Sequence, residues 1–306
     1  MDIVSDWCAR WLGARPDQVL FEKHHLSHVT GLRLDDGRQV VIKIRPDEPA
    51  LEARAAVQRH LFYAGFPVAE LLVGPVPAEP DLAVSAEAFV AGDEMLDPCA
   101  PHAVEAYAGL LARLITTAPR PADLPSLAPA PPWTAWDHHH PGLWPPADDV
   151  PEDLNASDQA PWLDGLAEAI KRRLAKHDAE PVVGHGDWEA HNLRWSGLDP
   201  VVVHDWDSAI AAPEAVVVGL AAAVWASGYD PATWHSSTLQ VEAFLGAYQR
   251  AVGRWWSTDE REVAWAAGLW VRAFNAKKYI HRGFVTLDQP EAAERAIRAG
   301  LDWQAR

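Results

Sequence analysis

The chain has 306 residues, 49% hydrophobic and 23% charged, which is enough apolar material for one large domain or two lobes and too much for a disordered chain. Lys and Arg number 26 against 43 Asp and Glu, and the resulting formal charge of −17 opposes both the phosphate backbone of nucleic acid and an anionic membrane face. Neither is expected as a partner. Cys8 and Cys99 are too few for a disulfide framework or a cysteine zinc site, and this usage suits a reducing cytoplasm. The first residues lack the basic region and apolar core of a signal peptide, so a cytoplasmic location is expected. The longest apolar stretch, residues 215–226, falls short of the roughly 20 residues of a membrane span and reads as a buried core helix.

Along the chain, an amphipathic helix with Ile3, Trp7 and Trp11 comes first. Strands are expected over residues 18–26 and 28–34, then a tight turn at Asp35-Asp36-Gly37, then a strand over residues 39–44. Pro49 opens a helix with Leu51, Ala55 and Leu61 on one side, and Gly65-Phe66-Pro67 stops it. Strand-like runs follow at residues 68–73 and 82–90. After Gly92 the pattern turns helical, with Val104, Tyr107, Ala108, Leu111 and Ile115 at the 3.6-residue period. This shift divides the chain into an N-terminal lobe, residues 1–90, and a C-terminal lobe, residues 91–306.

Residues 118–161 hold 11 of the 25 prolines, which excludes a regular helix or central strand and predicts an irregular segment on the surface. Trp133, Trp136 and Trp144 within it could cover a ligand. His138-His139-His140 lies there too, but adjacent side chains diverge, so a solvated or substrate-side cluster is favoured over a metal site. A helix resumes at Trp162, and two short strands near Val182 and Val201–Val203 bracket a polar loop. Beyond residue 239 the chain is helical, with a capping box at Ser257 and Glu260 and a further start at Asp288 with Pro290 in its first turn.

The chemistry concentrates in His185-Gly186-Asp187-Trp188-Glu189-Ala190-His191-Asn192 and in Val201-Val202-Val203-His204-Asp205-Trp206-Asp207. An Asp and an Asn five apart on a loop, with a second Asp after the next short strand, can converge on one divalent cation and one reacting hydroxyl. In that arrangement Asp187 orients or accepts the hydroxyl proton, while Asn192 and Asp205 supply the oxygen ligands that magnesium prefers. Asp207 is as well explained as a loop or helix-cap carboxylate as by a metal role. His185, Asp187, His191, His204 and Asp205 also permit a metal-dependent hydrolase, but that reading leaves Asn192 and the N-terminal lobe without a use.

The pattern HGDxxxxN, followed by a hydrophobic strand ending in D-x-D, resembles the aminoglycoside phosphotransferase and choline kinase family, small-molecule relatives of the protein kinases. The resemblance extends to Val40-Val41-Ile42-Lys43-Ile44, which looks like the strand carrying the phosphate-binding lysine, and to Glu52 as that lysine's ion-pair partner. Backbone groups around Glu87, Phe89 and Val90 would then receive the nucleobase. No glycine-rich turn covers the phosphates; His24 to Gly31 stands in its place, with Ser27 offering a hydroxyl and an N–H. The resemblance implies an α+β, two-lobed kinase-like fold with a small antiparallel sheet and a large helical lobe. It also implies transfer of phosphate from ATP or GTP, with magnesium, to a hydroxyl of a small molecule. The acidic total suits a cationic acceptor if the charge gathers at the cleft, and says nothing of the acceptor if it is spread. Trp188 and Trp206, beside the acidic residues, could wall an acceptor pocket or simply pack. A pseudokinase acting by interaction is the rival of a different class. Monomer and homodimer both remain open.

Overall fold

The computed structural model describes residues 3–79, 81–91, 94–228 and 233–304; Gly92, expected at the lobe boundary, lies outside them. Alternating apolar residues near the N-terminus build one antiparallel sheet from β1 (Pro16–His24), β2 (His28–Leu34), β3 (Gln39–Pro46), β4 (Leu71–Glu79) and β5 (Leu82–Ala88), in the order β1-β2-β3-β5-β4. Helix α1 (Ile3–Trp11) lies on one face, where Trp7 and Cys8 pack with Leu32, Leu34, Val40, Ile42, Val84 and Ala86. Val40 and Ile42 point into that core, so the strand's period of two turns Val41, Lys43 and Arg45 to the opposite side, where all three line a deep cleft.

The run expected over residues 68–73 splits in two. Val68 bridges to Val203 in the C-terminal part, and β4 begins only at Leu71 and runs past Gly74-Pro75 and Pro77. Prolines are tolerated there because β4 is the sheet's edge strand, pairing with β5 alone. Helix α2 (Leu51–Tyr63) arises where expected, but its apolar side, Ala53, Val57 and Leu61, belongs to the large core of the C-terminal part rather than to the cluster under α1.

The C-terminal part contains α3 (Ala103–Thr117), α4 (Pro161–Leu174), α5 (Glu214–Val224), α6 (Thr238–Val252), α7 (Thr258–Tyr279) and α8 (Gln289–Arg298). Every residue of α5 from Ala215 to Val224 is buried, as its unbroken apolar run predicts. Ser257 and Glu260 form the expected capping box, and Asp288 caps α8 by accepting from the Glu291 N–H. Four short strands carry the loops between α4 and α5: β6 (Pro181–His185), β7 (Leu193–Ser196), β8 (Asp199–Val203) and β9 (Ala209–Pro213), paired β6 with β9 and β7 with β8. β7 and β9 are too short to announce themselves by periodicity.

The proline-rich segment is irregular, as expected, yet it is not a surface strap. Trp144 is 1% exposed, and Leu127, Val150 and Leu154 are buried with it in the main core. The Trp144 ring stacks on Trp270 of α7 at 5.4 Å, and its Nε1–H donates to Asp164 at 2.7 Å. Segments without helix or strand can still be anchored when large aromatic side chains bury their rings and satisfy their N–H.

Helices α5 and α7 cross at glycines. A Cβ on Gly219 would overlap the Ala264 carbonyl, and one on Gly268 would meet the Gly219 carbonyl oxygen at 2.8 Å. Gly219→Ala should therefore destabilise the protein by about 1–3 kcal/mol through overpacking, exceeding the gain of up to roughly 1 kcal/mol in helix propensity. A urea unfolding midpoint equal to that of the wild type would contradict this.

Candidate active site

The site is assembled by two ladders. β6 runs antiparallel to β9 with His185 opposite Ala209, and the Gly186 N–H donates to Ser208 O at 2.7 Å, which sets the loop after β6 beside the loop after β8. A side chain on Gly186 would crowd Thr134 Cγ2 at 3.0 Å and Ser208 O at 3.1 Å, so the middle of the His-Gly-Asp triplet admits only glycine without displacement. The His185 imidazole is fully buried and ties its own loop to the loop after β8. Its Nε2–H donates to His204 O at 3.0 Å, its Nδ1 accepts from the Asp187 N–H at 3.2 Å, and the His204 N–H donates to Asn192 O at 2.8 Å. This pattern requires the neutral ring, and burial does push the His185 pKa down. With both nitrogens committed to backbone groups, His185 has no lone pair for a metal, so the hydrolase constellation is not assembled.

Asp187 sits in the loop just beyond. Asn192 Nδ2–H donates to its Oδ2 at 2.8 Å and to its carbonyl at 3.0 Å, because the 3-10 turn Ala190–Asn192 folds the Asn back over it. Removal from water, then the nearby charges of Glu189 and Asp205, raise the Asp187 pKa well above the usual carboxylate range, against the opposing Asn192 bond. Glu189 is itself paired with His191 at 2.9 Å, and ligand-capable atoms of Asp187, Glu189 and His191 lie within 4.8 Å of one another. Because its amide N–H groups face Asp187, Asn192 presents its carbonyl oxygen as the ligand-capable atom. Asp205 has a positive φ of 63°, an uncommon conformation for a non-glycine residue, and it begins the tight turn Trp206–Ser208. An amide oxygen and a carboxylate on one cleft wall form a hard-oxygen donor set that fits magnesium.

Ser27, Lys43, Glu87, Phe89, Val90, Asn192 and Asp205 all line one cavity of about 950 Å³ between the sheet and these loops. Glu52 does not. Its carboxylate is exposed and pairs with Arg59 at 3.1 Å, while Glu48 pairs with Arg54, also at 3.1 Å. The carboxylate nearest the Lys43 ammonium is Glu87 Oε1 at 3.9 Å, and the expected pairing with Glu52 is corrected accordingly. Lys43 lies opposite Ser85 on β5, and Glu87, two residues on, projects to the same face. The far oxygen of Glu87 accepts from Gln58 Nε2–H at 2.9 Å, so α2 supports the carboxylate without carrying it. Burial disfavours the charge on Lys43, but Glu87, Asp207 and Asp205 outweigh it and hold its pKa above the ordinary value. The Phe89 N–H is taken by Gln39 O at 3.1 Å and the Ala88 N–H by Glu70 O at 2.8 Å, so neither is free to donate to a nucleobase.

Trp188 and Trp206 pack rather than line a pocket. They are 0% and 2% exposed, flank the His185 ring at 5.9 and 5.4 Å, and donate their N–H groups to Tyr107 O and Val203 O. The tryptophan that does line the cleft is Trp133, whose Nε1–H donates to Gly186 O at 2.8 Å and docks the proline-rich segment on the Asp187 loop. His140 and Asp148 of the same segment also line the cleft. His138 instead hydrogen-bonds Leu143 O at 3.0 Å, so the three histidines do not converge. Asp207, left open in sequence, pairs with Arg45 of β3 at 3.0 Å.

No protein-family model and no curated protein matches the sequence. Solved structures do match over nearly the whole chain. A thermostable mutant of an aminoglycoside phosphotransferase, in a ternary complex with AMP-PNP and hygromycin B, superposes with a TM-score of 0.62 at 12% identity, covering 98% of this chain and 97% of its own. A macrolide 2'-phosphotransferase from Brachybacterium faecium gives 0.56 at 16% identity over the full length of both chains. A choline/ethanolamine kinase family protein from Mesorhizobium loti gives 0.53 at 14% identity, covering 92% of this chain and 87% of its own. Likeness at this level establishes the fold: the protein has the α+β, two-lobed kinase-like architecture that its motifs imply.

The two glutamates make opposite predictions. Glu87→Gln removes the nearest counter-charge of a buried ammonium and should cost on the order of 3 kcal/mol. Glu52→Gln removes half of an exposed pair and should cost under about 1 kcal/mol. Urea denaturation of the two variants beside the wild type checks both, and a larger loss for Glu52→Gln would restore the helix-borne pairing.

Proposed function

We propose that the protein is a small-molecule kinase that transfers the terminal phosphate of ATP to a hydroxyl group. The observation that carries this reading is one cleft with Lys43 on the sheet wall and Asn192 and Asp205 on the wall opposite, with Asp187 held beside them by the Asn192 amide. Lys43, kept charged by Glu87, would bind the phosphate chain. Asn192 and Asp205 would hold magnesium, which when bound neutralises charge on the phosphates. Asp187 would align the acceptor hydroxyl and take its proton, a role suited to a carboxylate whose pKa is raised. Catalysis would then come chiefly from positioning and charge neutralisation. The base would sit near residues 87–90, where the carbonyls and the N–H groups from Val90 onward are the candidates to meet it.

Carboxylates near Asp187 support an acceptor that carries an amine. Asp148 of the proline-rich segment lines the cleft, and Glu189 lies beside Asp187. Asp148 is itself part of a trio with Asp149 and the buried Lys278, and partial removal from water raises its pKa. An ammonium group would supply the charge that such acids need, by attraction in a low-dielectric cleft.

ATP consumption over a panel of aminoglycosides, amino alcohols and neutral sugars tests the proposal. The wild type should turn over at least one amine-bearing alcohol, and Asp187→Asn should lose at least about a hundredfold in kcat while binding ATP as the wild type does. Nucleotide binding without turnover of any acceptor would favour the pseudokinase, and wild-type rates in Asp187→Asn would remove that residue from its role.

A further inference from the structure

Arg45 lies two residues beyond Lys43 on β3 and therefore on the same, cleft-facing side of the strand. Its side chain is only 10% exposed, although it lines the cavity. One guanidinium nitrogen, Nη1, stands 3.0 Å from Asp207 Oδ2 as an ion pair. Neither Nη1 nor Nε makes an aligned hydrogen bond among the described residues, and both are shielded from solvent. A guanidinium carries five N–H donors, and a buried donor without an acceptor is costly, so this arrangement calls for additional acceptor oxygens in the cleft. Lys43 and Arg45 also stand close enough for the Arg charge to oppose the Lys charge.

We propose that Arg45 is a second phosphate-binding cation of this cleft, contacting the terminal phosphates of the bound nucleoside triphosphate, with Asp207 orienting its guanidinium. The proposal rests on the nucleotide reading given above. A phosphate chain supplies several anionic oxygens within one ligand, which suits the ammonium of Lys43 as a point charge and the planar fork of Arg45 as a paired donor. Asp207 becomes a positioning residue that links β3 to the turn after β8, which accounts for a carboxylate two residues after Asp205 without making it a metal ligand. A plain latch between the sheet and the C-terminal loops is the competing explanation of the same ion pair, and it predicts no dependence on phosphate.

Calorimetric titration with ATP and with adenosine, both in magnesium buffer, separates the two. Arg45→Gln should weaken ATP on the order of tenfold or more and leave adenosine within about twofold. Arg45→Lys, which keeps the charge but not the fork, should recover part of the ATP affinity and also serves if Arg45→Gln does not fold. Asp207→Asn should weaken ATP less than Arg45→Gln does. Equal losses for ATP and adenosine, or unchanged ATP affinity in Arg45→Gln, would overturn the proposal while leaving the kinase reading in place. A wild type that binds no ATP would overturn both.

Discussion

A single buried imidazole organises the site. His185 closes β6, and its two nitrogens bond to backbone groups on either side, Asp187 N–H and His204 O, while Trp188 and Trp206 enclose the ring. The first bond sets the turn into the Asp187 loop and the second ties that loop to the one carrying Asp205, so the placing of Asp187 against Asp205 depends on a neutral His185. The ring can serve this way only if it stays unprotonated, and burial between two indoles pushes its pKa down in that direction. A buried polar group is costly when unpaired and rigidifying when fully paired; here both nitrogens are paired. The proline-rich segment adds a brace from outside, because Trp133 donates to the carbonyl of Gly186, the residue between His185 and Asp187.

The sheet wall follows a different logic. Lys43 takes its counter-charge from the neighbouring strand, with Gln58 of α2 supporting that carboxylate, rather than from the helix itself. The cation and its nearest anion are thus held by one hydrogen-bonded ladder, β3 to β5. Helix α2 faces the larger core and carries Arg54, whose guanidinium reaches both Glu48 and the Pro129 carbonyl. The helix therefore joins the sheet lobe to the proline-rich segment, and both border the cleft.

The negative charge does not gather in one place. Many of the acids are matched locally, as Asp259 is with Arg173 and His177, Glu291 with Arg272 and Arg295, and Glu214 with Arg254. The Arg254 pair is exposed and contributes little to stability, and less at high salt, whereas Arg272 and Arg295 are buried and need Glu291 as their counter-charge. What bears on the proposed acceptor is the set of carboxylates near Asp187, and of these Asp148 comes from a segment whose sequence predicted only irregularity.

The sequence by itself determined the secondary elements that periodicity and caps encode, and the identity of the loop residues: β3 with Lys43, the buried α5, the capped starts of α7 and α8, and the Asp187, Asn192 and Asp205 set. Those features are local, set by spacing along one strand, one helix turn or one loop. The partner of Lys43, the engagement of Asp207 by Arg45, the burial of Trp188 and Trp206, and the anchoring of Trp144 on Trp270 were decided only by the tertiary structure. The physical reason is the same in each case. A charged or aromatic side chain has several partners within reach in sequence, and strand register together with packing selects among them. Glu52 lies nine residues from Lys43 along the chain, and Glu87 lies 44 away, but β3 and β5 are adjacent strands, and their register brings the second carboxylate to the ammonium.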